Sequence, residues 1–106
     1  MSTKSTNTYD RIVLRDLGQI LGTPGALSAL AESGHTPQEF LDRHVRGDWG
    51  ELDPGDIRLN NSALRSGDRI LSQYVIRGKE LIWIITEAVG DNGRRQATTI
   101  LLPSDY

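Results

Sequence analysis

Residues 68–88, DRILSQYVIRGKELIWIITEA, restrict what this chain can fold into more than any other stretch. Two runs rich in β-branched and aromatic residues flank Arg77-Gly78-Lys79-Glu80, and glycine at the first central position accepts the positive φ of a two-residue type II′ turn. That turn sets a register in which Arg77 faces Glu80, Val75 faces Ile82, Tyr74 faces Trp83 and Leu71 faces Thr86. Pairs of this kind contribute roughly 0.2–1 kcal/mol each. Residues 81–85 are apolar throughout, where a strand with one wet face would alternate. The second strand is therefore expected in the middle of a sheet, covered on both sides, with helices supplying the cover.

The helices announce themselves by their starts. Thr23-Pro24, Thr36-Pro37 and Asp53-Pro54 each place an N-cap before a proline at the first helical position, where its missing N–H costs nothing. At Thr36 a capping box is completed by Glu39 at N3. Gly34, Gly47 and Gly67 are the matching ends. The expected inward stripes are Leu27, Leu30 and Ala31 on the first helix, then Phe40, Leu41 and Val45 on the second, with His44 at the border. The third stripe is Ile57, Asn60, Asn61 and Leu64. Residues 48–50, Asp-Trp-Gly, should form a tight turn that returns Trp49 to the core. Upstream, the apolar positions Ile12, Val13, Leu14 and Leu17 fit either a strand or a single helical turn packed on the sheet. Residues 89–96 read as a polar loop. Residues 97–102 read as a further strand antiparallel to residues 81–88, stopped by Pro103.

These elements imply an α+β fold: an antiparallel sheet of three to four strands with about three short helices packed mainly on one face. A length of 106 residues suits one domain. Residues 1–8, polar after Met1, are expected to be a flexible tail, and residues 9–106 the domain. With 37% apolar and 25% charged residues the composition is that of an ordinary soluble domain, and no apolar run approaches a membrane span. The N-terminus has no apolar signal region and there is no cysteine, so the expected address is the cytoplasm. Net charge is −2 and the longest basic run is Arg94-Arg95, which argues against non-specific DNA binding without excluding RNA. Two histidines without cysteine at no ligand spacing give no metal site, and no cofactor is implied.

Two classes of function can be attached to particular residues. In the first, the chain is a protein-interaction module, with Trp49, Tyr74 and Trp83 as aromatic anchors; the plainer reading of Trp49 is a lid on the core. In the second, His44, Arg69 and Glu87 gather at one end of the sheet as base, cation and acid of a metal-independent endoribonuclease, with RNA as substrate. The plainer reading of a lone helical histidine is a packing or hydrogen-bonding residue. The strand at residues 68–77 would lie at an edge with Ile70 and Val75 nearby, where it could pair with a second copy.

Several segments carry a resemblance: Thr23-Pro24-Gly25-Ala26-Leu27, Arg43-His44, Gly47-Asp48-Trp49-Gly50, Arg69-Ile70-Leu71-Ser72-Gln73-Tyr74, Trp83-Ile84-Ile85-Thr86-Glu87-Ala88 and Thr98-Thr99-Ile100-Leu101-Leu102-Pro103. From about Leu17 to Tyr106 the chain resembles a group of small uncharacterised bacterial proteins labelled plasmid-related or, in places, type I restriction subunit. The loop at 89–96 is longer than in that group. A chain of this length cannot hold a methyltransferase domain, and the group carries no established activity to transfer. What the resemblance implies is a setting among mobile elements, plasmids and genome-defence genes.

Overall fold

The computed structural model describes residues 11–106, so the expected tail at 1–8 lies outside the described residues. In chain order the elements are β1 (Gln19–Gly22), α1 (Pro24–Glu32), α2 (Pro37–Val45), α3 (Pro54–Ser66), β2 (Ile70–Arg77), β3 (Glu80–Thr86) and β4 (Ala97–Leu101), followed by a 3-10 turn (Pro103–Asp105). They form an α+β fold on one four-stranded sheet ordered β1-β4-β3-β2. β3 runs antiparallel to both its neighbours, while β1 is parallel to β4. The sheet is mixed rather than wholly antiparallel.

The helix starts are as their sequences demand. Thr23, Thr36 and Asp53 accept from the backbone N–H groups of Ala26, Glu39 and Asp56, and Thr36 with Glu39 closes a full capping box. Gly34, Gly47 and Gly67 all have positive φ at or just beyond the helix ends. The inward face of α1 differs from expectation: Ala26, Ala29 and Leu30 are buried, whereas Leu27 and Ala31 are exposed. The helix contacts β4, and alanine on the contact side lets the two backbones approach closely.

All three helices cover one face of the sheet. Ala26, Ala29, Leu30, Phe40 and Leu41 pack on Tyr74, Ile76, Ile82, Ile84 and Ile100. A second cluster joins Leu14, Trp49, Ala63 and Ile70, with Leu17, Leu52, Ile57 and Leu64 against it. Alternation along the strands follows: Ile70, Ser72, Tyr74 and Ile76 of β2 are buried, as are Ile82, Ile84 and Thr86 of β3. The expectation of helical cover on both sides of β3 is corrected. On the other face the 3-10 turn lies against β3, and the Tyr106 ring stands edge-on to Trp83 at 5.7 Å.

The hairpin register is also corrected. Arg77 does face Glu80, but a bulge between Val75 and Arg77 leaves Ile76 unpaired. Beyond it the pairs are Val75 with Leu81, Tyr74 with Ile82, Gln73 with Trp83 and Leu71 with Ile85. Paired residues share a face, so the strict register would have put Tyr74 and Trp83 on the same side. The bulge sends Tyr74 into the core and Trp83 to the open side. The carbonyl of the unpaired Ile76 accepts from His35 Nε2 at 3.0 Å.

The upstream strand lies later than Ile12–Leu17 would place it. Residues 11–18 are irregular, tied to α2 where the N–H groups of Val13 and Leu14 both reach the Val45 carbonyl. The chain then turns at Gly18, where φ is 63° and a Cβ would stand 2.4 Å from two backbone oxygens of Arg95 and Gln96. Only glycine fits there, and the turn lays β1 alongside β4.

Candidate functional site: a buried polar chain and an open sheet face

His44, Ser72, Thr86 and Thr98, contributed by α2, β2, β3 and β4, form one buried row of hydrogen bonds. His44 from α2, fully buried at 0% exposure, has Nδ1 2.6 Å from Ser72 Oγ and Nε2 2.9 Å from Thr86 Oγ1. Thr86 Oγ1 lies 2.8 Å from Thr98 Oγ1, and Thr98 donates to the Leu17 carbonyl at 2.8 Å. The direction of the row follows from counting protons. Thr98 gives its only proton to Leu17, so Thr86 donates to Thr98, His44 Nε2–H donates to Thr86, and Ser72 donates to the bare Nδ1. Every member is satisfied by a neutral imidazole. Burial, with the Arg95 charge as a lesser cause, pushes the His44 pKa down to about 3.

Around this row the Gly47–Gly50 segment acts as a strap on the edge of β2. Asp48 holds Arg43 through Nε at 2.7 Å and Nη2 at 3.3 Å, and its carbonyl accepts from the Tyr74 hydroxyl at 2.7 Å. Burial pushes the pKa of that phenol up. Trp49 donates from Nε1 to Asn61 Oδ1 at 3.0 Å, and its ring stands edge-on to His44 at 5.7 Å. Its carbonyl accepts from Gln73 N–H at 3.0 Å, while Glu51 N–H donates to the Gln73 carbonyl at 2.6 Å. One step along, Asn60 gives Leu71 the same treatment, donating to its carbonyl at 2.7 Å and accepting from its N–H at 3.3 Å. The expected pairing of a second copy along β2 is therefore blocked at Leu71 and Gln73.

Arg95, which sequence reading passed over, is a second buried anchor. Its guanidinium donates to the carbonyls of Asp68 and Glu87 at 2.8 and 3.0 Å and to that of Ala63 at 3.0 Å, joining the ends of α3, β2 and β3. Desolvation lowers its pKa from the usual value. Nothing in the local pattern RRQ marks it, since the neighbouring Arg94 lies 70% exposed against Asp16.

The trio His44, Arg69 and Glu87 is not brought together. His44 is sealed beneath the helices, whereas Arg69 and Glu87 are exposed. Arg69 turns to the open face, donating to the Tyr106 hydroxyl with its guanidinium carbon 5.6 Å from that ring's centre. The sheet stands between base and cation, so no single phosphodiester spans them. Among the three aromatic anchors, Trp49 at 3% and Tyr74 at 0% exposure are core residues. Trp83 alone is in a position to meet a partner. No group of three or more His, Asp or Glu residues among those described could hold a metal ion.

The open face is accordingly the surface with binding character. Leu21, Leu71, Val75, Leu81 and Trp83 project from β1, β2 and β3 on this side, half-buried or exposed, beside a buried Ile85 and Leu101. Trp83 Nε1 donates to Gln73 Oε1 at 2.9 Å, which fixes the indole plane, and Tyr106, 71% exposed, stands beside it. On the helix side a shallow hollow of about 160 Å³ is lined by Asp42, Arg43, Arg46 and Asp48. No family model matches the chain, and neither a curated protein nor a solved structure matches it.

Proposed function

We propose that this protein is a small cytosolic interaction module that binds another protein through the open face of its sheet. The mobile-element and genome-defence setting implied by the resemblance belongs to the same proposal. The observation that carries it is the helix-free side of β3: aliphatic side chains of β1, β2 and β3 share this face with an indole held in place by Gln73. Contiguous apolar surface rimmed by polar residues is characteristic of docking sites, and an immobilised aromatic loses little entropy on binding. Arg69 is the cation placed on this face beside the aromatics, and the chain carries a net charge of −2, which favours a protein surface over a phosphate backbone.

The test compares capture from native cells by wild type, Trp83→Ser and Leu59→Ser. Leu59 is 68% exposed on α3, on the helix side, and controls for general stickiness. The expected result is one protein retained by wild type and Leu59→Ser and lost with Trp83→Ser. Retention by wild type and both variants alike would place binding elsewhere. Total RNA incubated with the purified protein should stay intact, because His44 has no path to substrate; cleavage that disappears in His44→Ala would reverse this reading.

A further inference from the structure

We infer that two copies of this chain join through β1, antiparallel about a two-fold axis at Leu21, to form one continuous eight-stranded sheet. The inference goes beyond the binding face, with which it shares only Leu21 at the sheet edge.

The two edges of the sheet are treated in opposite ways. On β2, Asn60 covers the outward groups of Leu71, the Trp49–Glu51 strap covers those of Gln73, and His35 takes the Ile76 carbonyl. On β1, Gln19 N–H and Thr23 N–H turn inward to the carbonyls of Gln96 and Ile100, at 3.1 and 2.9 Å. By the two-residue period Leu21 also turns inward, which among the described residues leaves Ile20 and Gly22 presenting N–H and C=O to the outside. Native sheets close such edges or use them.

β1 is suited to its own copy. Pairing Ile20 with Gly22 of the second copy, and the reverse, makes four backbone hydrogen bonds and sets the two Leu21 residues directly opposite. Ile20, 47% exposed on the helix side, then lies over a residue with no side chain, beside Leu27, whose methyl would be 3.0 Å from a Cβ at Gly22. Leu21, 41% exposed, meets its counterpart on the open side. The charges agree with this direction. The entry to β1 carries Arg15 and Arg94 against Asp16, a net positive end; the exit carries Asp105, bonded to Thr23 Oγ1 at 2.6 Å, a net negative end. An antiparallel pair sets each entry against an exit, while the strand itself, Gln-Ile-Leu-Gly, has no charge to repel.

An interface this small is in the weak class, so sedimentation equilibrium is run up to roughly 500 μM chain. Wild type should approach twice the chain mass, and Ile20→Pro, which removes an outward N–H, should remain at the chain mass with unchanged circular dichroism. Leu21→Arg should also be monomeric. Since the chain has no cysteine, Leu21→Cys introduces the sole thiol, and the pairing places it opposite itself at a separation a disulfide spans. Mild oxidation should cross-link Leu21→Cys at least tenfold faster than Ile20→Cys. A wild type that stays at the chain mass throughout, or a dimer that persists in both Ile20→Pro and Leu21→Arg, overturns the inference. Equal cross-linking of the two cysteine variants does so as well.

Discussion

At the scale of single residues, His44 shows how far a side chain's meaning depends on what surrounds it. Its position at the border of an apolar helix face is readable from spacing, but the Ser72, Thr86 and Thr98 hydroxyls that receive it come from three strands, and no local pattern announces them. The consequence is a pH dependence with a defined sign. An unfolded imidazole titrates near 6.5 while the folded one stays neutral down to about 3. Below pH 6.5 the unfolded state binds a proton that the folded state refuses, so stability falls with acid by roughly 1.4 kcal/mol per pH unit. Carboxylates act lower. Asp16, Glu39 and Asp105 are held below their ordinary values by Arg94, the Thr36 amide and the Thr23 hydroxyl, so what they contribute is lost only as pH falls through 4.5 and 3.8 and below. The expected outcome is that urea midpoints of wild type fall between pH 6.5 and 5. His44→Leu should be less stable at pH 7.5 by about 1–3 kcal/mol, from the orphaned Ser72 and Thr86 hydroxyls, and should show a flatter curve over that interval. Parallel curves would mean that His44 is charged in the folded protein.

At the scale of elements, the decisive contacts are those that close β2. Gly50 has φ of 79°, and a Cβ there would stand 2.0 Å from the Gln73 carbonyl oxygen and 2.7 Å from the Tyr74 ring. Gly50→Ala should lift the strap off the strand, costing roughly 2–4 kcal/mol, and leave the Gln73 backbone unpaired at an open edge. The measurement is light scattering at moderate urea, where Gly50→Ala should aggregate while Gly34→Ala should not, since nothing lies within 4 Å of a Cβ at Gly34. Comparable scattering from both would show that the strap is dispensable. These elements also mark what was legible in the sequence. Caps and turn residues act within four residues of themselves, so Thr23-Pro24, Thr36-Pro37, Asp53-Pro54 and the Gly78 turn could be read directly. The bulge at Ile76 could not, because it answers a demand set on the other side of the sheet: Tyr74 must reach Asp48 while Trp83 turns away. β1 was hidden for a related reason. All four of its residues are exposed, so it has no buried face to produce alternation.

At the scale of the whole molecule, the polar row divides the core. Phe40, Tyr74, Ile84 and Ile100 belong to one apolar cluster and Leu14, Trp49, Ala63 and Ile70 to another, with His44, Ser72, Thr86 and Thr98 threaded between them from α2 across three strands. Two small cores joined by a satisfied polar seam should still unfold as one, because each hydroxyl in the seam depends on its neighbour. Removing one member strands the next, at about 1–3 kcal/mol for each unsatisfied buried group. Removing all of them strands only the Leu17 carbonyl. Thr86→Val alone and Ser72→Ala alone should therefore each destabilise. The quadruple variant His44→Leu, Ser72→Ala, Thr86→Val, Thr98→Val should lose far less than the sum of its parts, since only the Leu17 carbonyl is left without its donor. Urea unfolding followed by tryptophan fluorescence reads both halves of the molecule, with Trp49 inside the second cluster and Trp83 on the open face. Strict additivity of the four changes would show that the seam is a set of independent bonds. Strong non-additivity with two separated transitions in the quadruple variant would show that the hydrogen-bonded row makes the two clusters a single cooperative unit, and that its value to the fold is specificity rather than net stability.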